Sequence, residues 1–346
     1  MTESKISLGI VGAGFGQQVQ VPAFRLSPQC EVVAICASRR ERAEQAARTL
    51  GIPRATDDWR DLVTAPDIQA LALAVPPSLQ AEIALAAARA GKHLFCEKPL
   101  ALNAGQAREI LAAARHSEIV HAMDFIFPEL ASWRKARELL HNPSLGRIRH
   151  VALTWRVENY TYRNRVQSWR TASASGGGTL NNFASHTFYY LEWLFGPIAR
   201  LCARFGPPRA EVEARVDAWL EFAGGFTGTI AVAADAFLGS GHRLEVYGED
   251  FTLVLENSGA DYARGFQVLI GTRAAPQLAP VATEDDAAQA DGRVFPVSRI
   301  AGRFLQAIPA RAAVRPNIED GLRVQQLLDA VQLAQQSGSW QAIGPE

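Results

Sequence analysis

The chain has little cysteine and no excess of either charge. Its cysteines, Cys30, Cys36, Cys96 and Cys202, form no C-x-x-C pair and no metal-ligand spacing. They read as reduced thiols in a cytoplasmic protein, where disulfides rarely persist. Lys and Arg number 35 and Asp and Glu 35, a formal net charge of +0. That balance gives no bulk attraction to nucleic acid or to an anionic membrane, so neither is expected as a partner. No apolar run approaches the ~18 residues of a membrane span. Ile6 to Val11 is also too short for a signal h-region. There is no G-x-S-x-G, no H-E-x-x-H and no cluster of histidines with carboxylates. Hydrolytic and metal chemistry therefore find no support, and no metal is expected. Internal repeats and long low-complexity tracts are missing too.

What is present is an ordered hydrophobic pattern. With 346 residues, 48% of them hydrophobic, the chain has room for two domains of roughly 100–200 residues each. Strands are expected at Ile6–Val11, Val32–Ala37, Ile68–Val75, His93–Cys96 and Ile119–Met123. Each is apolar nearly throughout, like strands covered on both faces. Helices are expected from near Gly16, at Glu41–Leu50 before Gly51, at Leu79–Ala90 before Gly91, and at Ala104–Arg115 behind the N-cap residue Asn103. This alternation argues for a parallel, doubly wound sheet.

After Met123 the pattern changes. A helix at Glu129–Leu140 leads into a strand at Arg147–Val157. Ala214–Phe222, Thr227–Ala233, Arg243–Tyr247 and Thr252–Leu255 read as closely spaced antiparallel strands. Ala274 to Gly292, rich in Ala, Pro and Asp, reads as an exposed loop, and a last helix is expected at about Ile318–Gln336. The expected domains are 1–123, binding a dinucleotide, and 124–346, binding substrate and forming the oligomer.

The stretch "IVGAGFGQQVQVPAF", residues 10–24, follows the first strand directly. Gly12 and Gly14 stand where G-x-G-x-x-G needs them, but the third position is Gln17, and Gly16 comes one place early. In such a loop the first glycine makes the tight turn and the second lets the backbone approach a pyrophosphate. N–H groups at the helix start hold the phosphates. The third glycine mainly permits close helix–strand packing. A plain turn after a hydrophobic strand can carry the same letters. The tip of the second strand, "ICASRRERAE", adds information. Where an NAD-binding fold carries an acid for the ribose 2′-hydroxyl stands Ala37 or Ser38, followed by Arg39 and Arg40. A hydroxyl and an arginine fork bind a 2′-phosphate that a carboxylate would repel. NADP(H) is therefore expected in preference to NAD(H). Ser38 and Glu41 also have the spacing of a capping box, which is compatible with that use.

"HLFCEKPLALN" puts Glu97, Lys98 and Pro99 at the C-terminal end of a parallel strand, where open α/β sheets bind ligands. Pro99 restricts Lys98 to an extended backbone and so fixes its direction. A lysine there can donate to a carbonyl oxygen during reduction or receive the proton during alcohol oxidation, with Glu97 orienting it. A surface Glu–Lys pair at a strand exit is the plainer reading of the same residues.

Together, "GIVGAGFG", "VPPSLQAEIALAAARAGKHLFCEKPL" and "GGGTLNNFASHTFYYLEWLFG" make the chain resemble the glucose–fructose oxidoreductase, inositol dehydrogenase and MocA-like (Gfo/Idh/MocA) family. The closing "IEDGLRVQQLLDAVQLAQQSGSW" extends the resemblance over nearly the whole length. It implies an α/β fold: an N-terminal Rossmann domain with a parallel sheet, then a C-terminal α/β domain with a large, mostly antiparallel sheet. That sheet frequently packs subunits into homodimers or homotetramers. The resemblance also implies that Lys98 helps bind nicotinamide and substrate and moves the proton, and that the Lys98–Pro99 bond is cis. The cofactor loop then comprises Gly12, Gly14, Phe15 and Gly16. Ser38, Arg39 and Arg40 meet the 2′-phosphate, and Pro76 and Glu97 join Lys98 in binding the cofactor.

Residues 176–195 read "GGGTLNNFASHTFYYLEWLF". If the part after the glycines is helical, Asn182 and His186 share a face, and Tyr189, Tyr190 and Trp193 continue near it. The resemblance places Asp at the Asn182 position, His at His186 and a second Asp at the Tyr189 position. There the first Asp and the His contact substrate hydroxyls, and the His can assist proton transfer. In this chain only His186 remains ionisable near neutral pH. Asn182 can still bond a hydroxyl through donor and acceptor atoms, whereas Tyr189, with an unperturbed pKa of about 10, is a poor base. Helix packing explains the tyrosines and Trp193 equally well. "DFIFPEL", residues 124–130, lacks the arginine that the family often carries there. "RNRVQSWRTASAS", residues 163–175, holds Trp169 and Arg170, a pair resembling one common in the family, and Arg163 or Arg165 could meet an acidic substrate. A solvated basic loop fits that segment as well.

The expectation is an NADP(H)-dependent oxidoreductase. Hydride would pass between nicotinamide and a hydroxyl or carbonyl carbon of a sugar, cyclitol or related small molecule. Lys98 and His186 would be catalytic, with Asn182, His186, Tyr189, Trp169 and Arg170 binding the substrate. The missing carboxylates leave two alternatives. One is a carbonyl or imine reductase, which needs a proton donor more than a strong base. The other is a cofactor-binding sensor or regulator without turnover.

Overall fold

A computed structural model describes residues 5–284 and 289–344. The chain divides into two compact units, 1–126 with 288–325 and 127–287 with 326–346. The first break thus falls after Ile126 rather than after Met123, and residues 288–325 belong with the N-terminal unit.

The first unit is built on six parallel strands: β1 (Ile6–Val11), β2 (Cys30–Cys36), β3 (Arg54–Thr56), β4 (Ala70–Leu73), β5 (His93–Cys96) and β6 (His121–Met123). Their order is β3–β2–β1–β4–β5–β6. Leu8, Ile10, Ile35, Leu71, Leu94 and Phe95 are fully buried, as apolar strands in a doubly covered sheet must be. The crossovers are α1 (Val21–Arg25), α2 (Arg40–Leu50), α3 (Trp59–Thr64), α4 (Pro77–Arg89) and α5 (Ala104–His116). Asp58 and Asn103 start α3 and α5 by accepting the backbone N–H of Arg60 and Gln106. Ser38 does not do the same for α2. Arg39 holds the N-cap position with an extended backbone and makes no side-chain cap. The helix starts one residue too late for the expected Ser38–Glu41 capping box.

The second unit contains α6 (Ala131–Leu140), α7 (Tyr160–Arg163) and α8 (Ser185–Phe195). Its sheet has nine strands: β7 (Ile148–Arg156), β8 (Ile198–Phe205), β9 (Arg215–Phe222), β10 (Thr227–Ala233), β11 (Gly241–Gly248), β12 (Phe251–Asn257), β13 (Gln267–Thr272), β14 (Ala275–Val281) and β15 (Gln341–Ala342). They lie in the order β14–β13–β12–β11–β7–β10–β9–β8–β15. β7 and β10 run parallel and the other neighbours antiparallel. Along β9, Val216, Ala218, Leu220 and Phe222 are buried while Arg215, Asp217 and Trp219 are exposed, the alternation of a sheet with one packed face.

β14 corrects the expected loop at Ala274–Gly292. Residues Ala275–Val281 pair with β13 at the end of the sheet. An edge strand tolerates Pro276 and Pro280 because one row of its N–H groups needs no partner strand. The remainder of that expected loop includes 285–288, outside the described residues. The chain then returns to the first unit with α9 (Val294–Ala307), followed by α10 (Ile318–Ser337). Phe304 of α9 packs edge-on against Phe24 and Phe95 at 6.4 and 5.9 Å between ring centroids.

Candidate active site

In the first unit, β1 runs out into Gly12, whose φ is +117°. A Cβ there would stand 2.2 Å from the Ala74 carbonyl oxygen, so only glycine lets the loop pass the end of β4. Gly14 is different: a Cβ on it would meet nothing within 4 Å. At Gly16 a Cβ would lie 2.8 Å from Ile10 Cγ2. Gly16 therefore serves the close helix–strand packing that the fingerprint assigns to its third glycine. The shifted spacing is absorbed by a π turn, Gly16–Gln20, in which the Val21 N–H bonds the Gly16 carbonyl. This turn stands where an ordinary helix start was expected. It carries Gln20 into the core, fully buried, with Nε2 3.4 Å from both the Leu73 carbonyl oxygen and Glu97 Oε1. Phe15, in the same loop, has the Arg293 guanidinium 5.3 Å from its ring centroid.

Ser38 and Arg39 are exposed at the tip of β2. Arg40 is engaged by Glu44, with 2.8 Å between Nε and Oε1. Pro76 forms the N-cap of α4. β5 ends at Cys96, Glu97 follows it, and the Lys98–Pro99 peptide is cis, as the resemblance implied. Gln80 pins this turn from within: its Nε2 donates to the carbonyls of Glu97, Pro99 and Leu100 at 2.6, 3.0 and 3.2 Å. Burial raises the Glu97 carboxyl above the usual carboxylate range. A hydrogen bond with Asp124, the Lys98 charge, the Lys98 N–H and the Gln20 amide act in the opposite sense. Gly12, Pro76, Glu97 and Lys98 all follow the C-terminal ends of β1, β4 and β5, the ligand-binding edge of open α/β sheets. The space at Gly14 fits a pyrophosphate held by backbone amides.

In the second unit, Trp169 and Arg170 form a one-turn helix capped by Ser168, with the Arg170 guanidinium 4.5 Å from the Trp169 ring centroid. The glycine run packs against it. The Gly178 N–H bonds the Arg170 carbonyl at 2.9 Å, and a Cβ on Gly177 would come within 2.6 Å of that oxygen. Leu180–Ala184 is a second π turn, closed by the Ser185 N–H on the Leu180 carbonyl, where a plain helix was expected. Asn182 Nδ2 donates to the Gly178 carbonyl at 2.7 Å. Arg170 and Asn182 share a cavity with Tyr162, Thr179 and Phe183 of about 10 Å³, room for a single water. His186 is 6% exposed and meets the Phe127 ring edge-on at 5.2 Å. Tyr189 is half-buried. Tyr190 is core, its ring 4.4 Å from Trp133 and its hydroxyl 2.9 Å from His242 Nε2. Trp193 lies under the Arg137 guanidinium at 4.5 Å.

Three side chains near these positions escaped the sequence reading. Asp124 directly follows the apolar run of β6, a position at a strand exit that could have been noticed. Gln20 is a polar residue in an otherwise apolar helix face. Glu213 gave no local signal. It accepts the Leu180 N–H at 2.8 Å, and burial raises its carboxyl above the usual range.

Two family models match the chain. One, described as an oxidoreductase family with an NAD-binding Rossmann fold, covers residues 6–125; the other, the GFO/IDH/MocA C-terminal domain, covers 133–254. An uncharacterized oxidoreductase of Synechocystis sp. is 32% identical over 364 residues, covering 99% of this chain and 98% of that protein. The chain belongs to the Gfo/Idh/MocA oxidoreductase family. Levoglucosan dehydrogenase of Pseudarthrobacter phenanthrenivorans is 26% identical, with 97% of each chain covered. A 1,5-anhydro-D-fructose reductase of Ensifer adhaerens is 31% identical over 181 residues, 51% of this chain and 53% of that protein. Among solved structures, levoglucosan dehydrogenase in complex with NADH and levoglucosan has a TM-score of 0.88 at 23% identity, covering 99% of this chain and 100% of that one. The Gfo/Idh/MocA fold implied by the sequence, a Rossmann unit and a mostly antiparallel sheet, is thus the fold observed. Among the described residues no helix is long and apolar enough to cross a membrane.

Proposed function

We propose that this Gfo/Idh/MocA protein is an NADP(H)-dependent oxidoreductase that interconverts a hydroxyl and a carbonyl on a sugar, cyclitol or related small molecule. One observation carries the reading: Lys98 stands just beyond the C-terminal end of β5, in the same unit as a glycine loop with open space at Gly14. The names of the relatives, levoglucosan dehydrogenase and 1,5-anhydro-D-fructose reductase, support a polyhydroxylated substrate. When bound, the nicotinamide cofactor supplies or accepts the hydride. Lys98 gives a proton to the carbonyl oxygen in reduction and takes one from the hydroxyl in oxidation. His186 orients the substrate or assists that transfer, and Asn182, Tyr189, Trp169 and Arg170 bind it.

Gly12, Gly14, Phe15 and Gly16 hold the pyrophosphate, with Pro76 and Glu97 flanking the nicotinamide end. Ser38 and Arg39 recognise the 2′-phosphate. Both are exposed, and no acid stands at positions 37–40. Arg40, paired with Glu44, contributes less. The levoglucosan dehydrogenase complexes hold NADH, so dinucleotide choice is the finer point to test. The first unit serves the dinucleotide and the second serves the substrate and the oligomer. Exposed Trp219 on the sheet supports homodimers or homotetramers through that face. Free cysteines suit a reducing cytoplasm. A second reading, a cofactor-binding sensor, draws on Asn182 and Tyr189 standing where the resemblance expects carboxylates.

The test is NADPH consumption against sugars, keto-sugars, aldehydes and imines. Lys98→Ala is expected to lower kcat by roughly 10²–10⁴-fold. Arg39→Ala is expected to weaken NADPH about tenfold relative to NADH. An unchanged NADPH-to-NADH ratio in Arg39→Ala would reject the NADP assignment. Tight NADPH binding without any turnover would favour the sensor.

A further inference from the structure

Among the described residues of α4, the buried stripe holds a single polar side chain, Gln80, 1% exposed in company with Pro77, Ile83, Ala84 and Ala87. A polar residue on an apolar stripe has a partner to serve. Its backbone N–H bonds the Pro76 carbonyl at 2.9 Å, in the first turn of the helix. Its side chain reaches across to the exit of β5, where Nε2 lies 2.6, 3.0 and 3.2 Å from the carbonyl oxygens of Glu97, Pro99 and Leu100. Turned over, the amide would set its own oxygen against three others, so only donation fits. The Glu97 N–H is held too, by the Leu73 carbonyl at 3.2 Å. Lys98 therefore stands between two residues whose carbonyls end on one amide, and that amide belongs to the helix whose N-cap is Pro76.

We propose that Gln80 is a positioning residue for Lys98: it fixes the backbone from which the amine projects, and fixes it relative to Pro76. The inference rests on Lys98 being the proton-transfer group of the proposed reaction. A lysine stem is flexible, so its amine is well aimed only when its backbone stands still. Proton transfer needs heavy atoms within hydrogen-bond reach, and a displacement of about 1 Å costs on the order of 10²-fold in rate. Donors, not bulk, are what the turn takes from Gln80. Methionine matches glutamine in length and shape but donates nothing, whereas histidine differs in shape but keeps a ring N–H. A packing role ranks Gln80→Met above Gln80→His; a donor role reverses the order.

The chain has only the lysines Lys5, Lys92, Lys98 and Lys135. ¹⁵N-lysine labelling of the cofactor-free protein therefore gives few backbone amide signals in NMR, with that of Lys98 assigned by its loss in Lys98→Arg. The wild type should show one sharp Lys98 signal. In Gln80→Met it should shift and broaden while those of Lys5 and Lys135 stay, and in Gln80→His it should return close to its wild-type position. In turnover, Gln80→Met should lower kcat on the order of 10²-fold and leave KM within about threefold, and Gln80→His should restore most of kcat. An unmoved Lys98 signal in Gln80→Met overturns the anchoring. A moved signal with wild-type kcat, or a loss confined to KM, overturns the positioning role. If Gln80→Met does not fold, Gln80→Asn, whose shorter stem withdraws the same donors, takes its place under the same criteria. Failure of the wild type to turn over any substrate counts against the proposed reaction alone, and the Lys98 signal still decides whether Gln80 holds the turn.

Discussion

The segments Gly12–Gln20 and Gly176–Ala184 are built alike. Each is a glycine run leading into a π turn that continues as a helix. Each holds a glycine of positive φ whose Cβ would stand 2.2 Å from an oxygen, Gly12 against the Ala74 carbonyl and Gly178 against Glu213 Oε1. They differ in what the glycines make room for. Gly14 opens onto space, whereas Gly177 and Gly178 are filled by the Arg170 carbonyl and by Glu213. The first run leaves open room at Gly14; the second is closed by the protein's own turn and by Glu213. A glycine run can therefore mark close approach or open space, and what a Cβ would meet tells the two apart.

The first run offers the largest effects. Gly12→Ala would combine a disfavoured φ with a backbone collision. It is expected to lose about 3 kcal/mol or more of stability and to bind no dinucleotide. Gly14→Ala has room and is expected to stay within about 0.5 kcal/mol of the wild type. Yet it should bind NADPH roughly tenfold more weakly, because the added methyl occupies the place of the phosphate. Denaturant unfolding and NADPH fluorescence titration check both. Wild-type affinity in Gly14→Ala would remove the distinction between the two runs.

The same contrast explains what the sequence made legible. β1 and β5 were readable to the residue because strands buried on both faces are apolar throughout. β8 was not: a register shift opposite Ala199, between Ile198 and Arg200, breaks the period of two in "IARLCARF". α9 was hidden by Pro296 in its first turn and Gly302 in its interior, both ordinary signs of a loop. Around the glycine loop, Gly12 was readable because its positive φ and the nearby Ala74 carbonyl demand glycine, and the direction of Lys98 because a proline follows it. The Glu213 bond to Leu180 and the Gln80 bonds to the carbonyls of Glu97, Pro99 and Leu100 join residues distant in sequence, and no local pattern encodes them.

The second run should respond through packing alone. Gly178→Ala forces a methyl onto Glu213 and is expected to cost about 2–3 kcal/mol, with dinucleotide affinity unchanged. Adding Glu213→Ala should recover about 1 kcal/mol by relieving the collision, even though the Leu180 N–H loses its acceptor. A double-mutant cycle in urea measures this coupling. A fall in NADPH affinity with stability intact would mean that the second run also serves the cofactor.

The smallest effects concern one histidine in each unit, half-buried His121 and buried His242. His121 Nδ1 accepts the Ile318 N–H at 3.2 Å, and burial pushes its pKa down to about 4. His242 stacks on Trp155 at 4.3 Å, and burial pushes it down to about 3. An unfolded histidine titrates at about 6.5. Below that value the unfolded chain takes up a proton that the folded one refuses, so stability is full above the window and falls as pH drops through it. Each histidine should account for about 1 kcal/mol lost between pH 6.5 and 5.5. His121→Gln and His242→Gln should each flatten the urea midpoint's dependence on pH by that amount. A slope unchanged by His121→Gln would mean that the folded protein already carries that proton. The Ile318 N–H would then face a second donor at the first residue of α10, an arrangement that the 3.2 Å bond to Nδ1 argues against.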